Sequence, residues 1–227
     1  MTILAIVCDP PNTLLFADRR YEDTVNGVSQ RGEMREVQNP DTGEFTIQPL
    51  VKVNAQKGVI WGCAGMGAVL YEGRGRMAQD VIGIFFDQMQ DGKFVLSDLV
   101  EFLSPLVIER GSIAPGGLHV LLGTAAEAFY FWFPSDPRAA PAVEQVQRKI
   151  IPSHDTKALF GGWFPTHDEF FPPPSSSPEA IAQFMRPLLE RAIAWATEQK
   201  GLECDVAGPV DVALVSPTGA RILEAGT

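Results

Sequence analysis

Apolar positions along the chain come in short runs separated by proline, glycine and small polar residues. Residues 3–8 (ILAIVC) form the first run and residues 13–18 (TLLFAD) the second, with Asp9-Pro10-Pro11-Asn12 between them. Proline cannot continue a central strand, so this cluster predicts a turn and the two runs a β-hairpin. Antiparallel pairing then brings residue 2, at the open end of the first strand, close to Asp18 at the end of the second. Residues 19–44 are polar and read as a long loop, or as a hairpin excursion around Asn39-Pro40-Asp41-Thr42-Gly43. Further strands are predicted at 45–53, where Pro49 marks an edge or bulge, and at 58–63, which runs into the small-residue turn Ala64-Gly65-Met66-Gly67.

The spacing of Val69, Leu70, Met77, Val81, Ile84, Phe85 and Met89 predicts a helix over 68–90, although Gly73, Gly75 and Gly83 weaken it. Ser97-Asp98 can cap a second helix running to Glu109, with Gly111 beyond its end and Pro105 a source of kinking. Strands follow at 118–123 and 127–133. The stretch 134–156 has no clear period, and 157–162 reads as a strand ending in Gly161-Gly162. The run 172–178 (PPPSSSP) is the sharpest break in the chain, and its prolines favour an extended conformation. Ser177-Pro178 then opens a helix to about Lys200, with Phe184, Leu188, Ala192 and Trp195 on one face and Gly201 as its stop. Residues 210–216 and 220–223 form a last hairpin around Pro217-Thr218-Gly219.

Strands therefore cluster in groups instead of alternating singly with helices. That disfavours a doubly wound parallel sheet and predicts an α+β fold, a four-layer αββα sandwich of two antiparallel sheets between helical layers. The 227 residues suit a single domain, 1–227, with 21–45 as an insertion or long loop.

Composition narrows the partners. Eighteen basic against twenty-eight acidic residues leave a net charge of −10, which disfavours non-specific binding to nucleic acid or an anionic membrane. No apolar run reaches the length of a spanning helix, and the N-terminus lacks the basic region of a signal peptide. Cys8, Cys63 and Cys204 are too few and too scattered for a disulfide framework or a CxxC zinc site. A cytoplasmic protein is the expectation.

Thr2 follows Met1 directly. Small second residues permit removal of the initiator Met, and a Thr2 exposed in this way carries a hydroxyl and a free α-amino group together. One residue then supplies both nucleophile and base. The α-amino pKa is ordinarily about 7.7–8.0, so a useful fraction is neutral near pH 7, and a neighbouring ammonium raises that fraction. Asp18 lies sixteen residues on, within Leu15-Phe16-Ala17-Asp18-Arg19-Arg20; Lys52 lies in Val51-Lys52-Val53; Ala64-Gly65 closes the strand after that.

This order resembles the proteasome β-type peptidases of the N-terminal nucleophile superfamily, in the manner of a bacterial proteasome-like subunit. Segment 2–20 carries the resemblance most strongly, followed by 58–67 and by 206–219, where Val206-Ala207-Gly208-Pro209-Val210-Asp211 looks like the family's penultimate strand entry. The resemblance implies Thr2 as nucleophile, Asp18 orienting a lysine, Lys52 as that lysine, and the Gly65 backbone N–H as oxyanion donor. It implies a threonine peptidase that takes peptides or unfolded protein, needs no cofactor and no metal, and assembles into a homo-oligomeric ring, with an ATPase partner unspecified. Two alternatives stand beside it: a catalytically inactive structural or interaction subunit of the same fold, and an amide hydrolase acting on small molecules.

The sequence departs from the family in places. Asp18 and Lys52 are thirty-four residues apart, about twice the family's usual gap, and Lys57 is a second lysine within reach. The late Asp-x-x-Ser-Gly motif is missing: Ala207 stands at the serine, Cys204 at the aspartate, and Asp205 is one place off. Each candidate also has a purely structural reading. Asp18-Arg19 can be a strand-end ion pair, Lys52 a charge protecting an edge strand, and Gly65 a turn former. His154-Asp155 and His167-Asp168 have metal-ligating chemistry but no third ligand at a diagnostic spacing. His119 alternates with apolar residues in a strand, as a structural histidine does, and the Phe129–Phe133 aromatics read as a strand buried on both faces or lying at a subunit contact.

Overall fold

The computed structural model describes residues 2–19, 21–25, 28–32, 34–38, 45–49, 51–89, 95–111, 117–152, 177–201, 204 and 206–223, with backbone alone between 21 and 49. The chain opens with β1 (Leu4–Asp9) and β2 (Asn12–Ala17), joined by the Pro10-Pro11 turn. Two separate two-stranded hairpins follow, β3 (Tyr21–Val25) with β4 (Val28–Gly32) and β5 (Met34–Gln38) with β6 (Phe45–Pro49). Next come β7 (Val53–Gln56), β8 (Val59–Gly65), β9 (Ala68–Tyr71), β10 (Arg74–Met77), α1 (Ala78–Gln88) and α2 (Leu96–Gly111). The last part holds β11 (Leu118–Gly123), β12 (Ala128–Phe133), β13 (Ala142–Val146), β14 (Arg148–Ile151), α3 (Pro178–Lys200), β15 (Asp211–Ser216) and β16 (Gly219–Leu223).

Two five-stranded antiparallel sheets dominate, with orders β14-β1-β2-β15-β16 and β13-β12-β11-β8-β7. The central strands β1, β2, β8, β11 and β15 are apolar on both faces, and the alternation of side chains sorts the core into three strata. Ile3, Ala5, Val7, Leu14, Phe16, Val212 and Leu214 pack against Ile181, Met185, Leu189 and Ala192 of α3. Leu4, Ile6, Leu15, Ile60, Leu121, Ala213 and Val215 fill the space between the sheets. Trp61, Leu118, Val120, Phe129, Phe131 and Phe133 pack against Val81, Ile82 and Phe86 of α1 and Leu99 and Leu103 of α2. The result is the expected α+β sandwich, helix, sheet, sheet, helix. Among the described residues no helix is long and apolar enough to cross a membrane.

Several elements differ from expectation. The segment 68–90 is not one helix: its first half is the β9–β10 hairpin, and only α1 is helical. Glu72 (φ 51°) and Gly73 (φ 72°) both adopt the left-handed region, the pair of conformations that closes a tight two-residue hairpin. The strand predicted at 45–53 is broken: β6 ends at Pro49 and β7 begins at Val53, leaving Lys52 just outside a strand. Of the two readings of the excursion after β2, the hairpin one holds: β3 pairs with β4, and β5 with β6 on either side of residues 39–44. On α3 the buried stripe is Ile181, Met185, Leu189, Ala192 and Ala196, while Phe184 is exposed. The expected stripe through Phe184 and Leu188 is displaced by one residue, about 100° of helix rotation. The unassigned stretch resolves into β13 and β14, which pair with β12 and β1 and so belong to different sheets. The strand at 157–162 and the prolines at 172–176 lie outside the described residues.

The start of α3 matches its sequence signal. Ser177 is the N-cap, its Oγ accepts a hydrogen bond from the Ala180 N–H at 3.2 Å, and Pro178 occupies the first turn. Ser177→Ala is expected to lower stability by about 1 kcal/mol, measured as a fall in the urea midpoint at constant m-value.

Candidate active site

Strand register places the first two residues of the site. Leu4 pairs with Ala17, which puts Ile3 opposite Asp18. The Asp18 N–H donates to the Ile3 carbonyl at 3.4 Å, and the Ile3 N–H donates back to Asp18 Oδ1 at 3.0 Å. The carboxylate thus grips the main chain one residue beyond Thr2. Asp18 is fully buried and Thr2 nearly so.

Lys52 reaches this corner from the other sheet. It precedes β7, whose Val53 pairs with Gly62 of β8. Its Nζ lies 2.8 Å from Thr2 Oγ1, and 3.1 Å and 3.3 Å from Asp18 Oδ2 and Oδ1. Only 4% of the Lys52 side chain is exposed, which rules out the reading as a solubility charge on an edge strand. A buried ammonium needs a compensating charge and acceptors for its donors, and Asp18 with Thr2 supplies both.

Two residues that the sequence did not single out hold Lys52 in place. A Cβ on Gly62 would come within 3.1 Å of both the Lys52 carbonyl oxygen and a Leu4 methyl, so the bare glycine lets the sheets close here. The buried Gln79 side chain in α1 donates to the Val51 carbonyl at 3.1 Å. Lys57 is drawn away: its Nζ donates to the Phe86 and Asp87 carbonyls at 3.0 and 3.2 Å. Between the two lysines that the sequence left open, Lys52 is therefore the one at Thr2.

Arg19 does not pair with Asp18. Its guanidinium makes a two-pronged contact with Asp211 at the start of β15, with Nη2 at 2.6 Å and Nε at 3.0 Å. Two neighbouring cations are thus divided between two carboxylates, and Asp18 is kept for Lys52. The Ala207 backbone carbonyl accepts from the Arg19 N–H at 3.1 Å. Asp211 belongs to the Val206–Asp211 strand entry that the sequence shows, but nothing there marks it as the partner of Arg19. Asp205 lies outside the described residues.

Gly65 ends β8 in the left-handed region (φ 83°), with its neighbour's N–H (Met66) donating to the Gly117 carbonyl at 2.7 Å. A side chain here would run into Gly117 and His119. The turn is exposed and sits at the same end of β8 that Lys52 approaches. His119, opposite Ala64 in β11, makes a tilted ring contact with Trp132, centroids 4.3 Å apart, and its Nδ1 lies 2.8 Å from the Tyr130 hydroxyl. Burial, aided by the Lys149 charge, pushes the His119 pKa down to about 4. Phe129, Phe131 and Phe133 face the helices and are buried, whereas Tyr130 and Trp132 on the other face are only half-buried, so β12 is not buried on both faces.

The thiols offer no rival nucleophile. Cys8 and Cys63 are buried and free, and burial pushes both thiols above their ordinary range, away from the reactive thiolate. Among the described residues no cluster of three or more His, Cys, Asp or Glu side chains could hold a metal ion. His154, Asp155, His167 and Asp168 lie outside the described residues.

No protein family matches the sequence, and no curated protein does. Among solved structures, the chain is similar to the Gly-1 mutant of Anbu from Hyphomicrobium sp. strain MC1. The TM-score is 0.49 at 10% identity, over 99% of this chain and 85% of that one. So remote a likeness carries no argument about chemistry.

Lys52→Met strands the buried Asp18 carboxylate without its cation and is expected to cost about 3–5 kcal/mol; the double variant Lys52→Met/Asp18→Leu is expected to recover much of that in urea unfolding. His119 binds its proton more weakly when folded than the unfolded value of about 6.5. Its contribution to stability is therefore present above pH about 6.5 and is lost as pH falls toward about 4. The wild-type urea midpoint should drop across that window by more than that of His119→Gln.

Proposed function

We propose that the chain is a threonine-type hydrolase of peptide bonds, with Thr2 as N-terminal nucleophile after removal of Met1. One observation carries this reading: the Lys52 ammonium sits 2.8 Å from the Thr2 hydroxyl while Asp18 holds it from the other side, all three buried. A surface threonine has no need of such a pair, and burying two charges is costly unless the arrangement serves a purpose.

The chemistry follows from the groups. The Thr2 α-amine takes the proton from Oγ1 as the oxygen attacks the substrate carbonyl. Lys52 lowers the energy of the developing alkoxide and disfavours a second positive charge on the amine, keeping it basic. The Gly65 N–H is the backbone donor assigned to the oxyanion. Collapse of the tetrahedral intermediate expels the leaving amine, which takes the proton from the α-ammonium, and leaves an ester on Thr2. Water, deprotonated by the same amine, then cleaves the ester and restores the hydroxyl. The residues used require no cofactor. The family resemblance further implies a homo-oligomeric ring enclosing the sites.

The expected results are specific. Intact mass should show loss of Met1. Thr2→Ala should reduce hydrolysis of fluorogenic peptides to background while the sizing profile stays unchanged, and Thr2→Ser should retain measurable turnover. Lys52→Arg should lose about 100-fold or more, because a planar guanidinium does not fit a point-charge site. Retention of Met1 in a preparation that hydrolyses peptides would falsify the assignment.

A second reading rests on Ala207, which removes a hydroxyl from the family's accessory polar network. On that reading the chain is a non-catalytic subunit, and the wild type is as inert as Thr2→Ala yet assembles normally.

A further inference from the structure

We propose that His119 is a substrate-positioning residue of the Thr2 site, its imidazole Nε2–H donating a hydrogen bond to a main-chain carbonyl of the bound peptide beside Gly65. The proposal rests on the reading of Thr2 as nucleophile and adds the residue that holds the peptide across it.

The position comes from the sheet. Along β11, Leu121 is fully buried between the sheets, and His119 is the next residue on that face and is half-exposed. Its cross-strand neighbours are Ala64 and Trp132. The interlayer core therefore gives way to solvent at His119, at the end of the sandwich where β8 terminates in Gly65 and where Lys52 enters. Leu118, the residue before it, pairs with Gly65 itself.

The orientation comes from the ring's contacts. A Cβ added to Gly65 would lie 3.2 Å from His119 Cδ2. Cδ2 is bonded to Nε2, so that edge of the ring is the one turned toward Gly65. Trp132 lies against the ring at a tilt of 33°, with centroids 4.3 Å apart, and Tyr130 stacks nearly parallel to it at 17°, which keeps the edge from swinging away.

The proton's place comes from Tyr130. Its hydroxyl lies 2.8 Å from Nδ1, and the Lys149 ammonium sits 4.5 Å above the phenol ring. A cation on the ring face makes the O–H a better donor, and burial pushes the Tyr130 pKa up, so the phenol keeps its proton. With the phenol as donor, Nδ1 accepts and the neutral imidazole carries its proton on Nε2. No described residue accepts from Nε2. A fixed, neutral donor at the solvent end of the interlayer face suits the uncharged, acceptor-rich main chain of a peptide better than a charged side chain.

The test compares wild type, His119→Gln, His119→Phe and Tyr130→Phe. Circular dichroism and sizing serve as folding controls. On fluorogenic tetrapeptide amides, His119→Phe should lower kcat/KM about tenfold, the worth of one hydrogen bond, chiefly through KM. His119→Gln, which keeps a donor, should recover most of that loss. Tyr130→Phe leaves the ring in place and should give an intermediate loss. Nitrogen-15 NMR of the imidazoles should show the Nε2–H tautomer for His119, identified by its absence in His119→Phe, and a tautomer mixture in Tyr130→Phe. An Nδ1–H tautomer in the wild type, equal losses in the Gln and Phe variants, an effect confined to kcat, or no effect would each overturn the proposal while leaving Thr2 in place. A wild type with no hydrolysis at all would remove the Thr2 reading and this proposal with it.

Discussion

The buried pair of Lys52 and Asp18 is the contact on which the site depends, because it is made across the gap between the two sheets. Asp18 directly follows β2 and Lys52 precedes β7, so the 3.1 Å ion pair sets how far apart the layers stand at that corner. Such a pair is poor at raising stability, since both ions lose their hydration on burial. It is good at specifying position, because an ammonium with three donors accepts only an arrangement that satisfies them. Thr2 Oγ1 supplies the third acceptor, and the geometry at Thr2 is a by-product of closing the sandwich correctly.

The rest of the fold makes that closure precise in register. Strands with two apolar faces leave little freedom, since a one-residue slip would exchange the residues meant for α3 with those meant for the opposite sheet. Ile3, Ala5 and Val7 point one way and Leu4, Ile6 and Cys8 the other. The same alternation that buries the strand thus fixes which side of the sheet Thr2 begins on. Gly62 and Gln79 then set the depth and direction of Lys52.

How much of this the sequence shows depends on the range of the interaction. The β1–β2 hairpin is written in two apolar runs and a proline turn, so the approach of Asp18 to residue 2 follows from local pattern alone. The α3 cap is equally local. The lysine is harder: Lys52 and Lys57 differ only in what lies across from them in space, Asp18 for one and the end of α1 for the other. The division of Arg19 to Asp211 spans nearly the whole chain and leaves no local trace. The misread helix at 68–77 shows the opposite fault, a local pattern that is ambiguous. Val69, Leu70 and Met77 fit a helical period, but the two left-handed residues at 72 and 73 fit only a hairpin. On α3 Ala192 lies on both the expected and the observed stripe, but the exposed Phe184 gives way to Ile181 and Met185, because the sheet beneath accepts the neighbouring face.

The passage from β13 to β14 has a mechanical corollary. One residue, Gln147, separates a strand of one sheet from a strand of the other, and its carbonyl is tied to the Cys8 N–H at 2.7 Å. The two layers are bound together along that margin like the spine of a book. Any breathing of the sandwich must therefore widen the opposite, fore-edge margin, where β7 faces β16, and that is the margin from which Lys52 is delivered. Loosening the covers there would draw the ammonium off the threonine while leaving the β1–β2 hairpin intact.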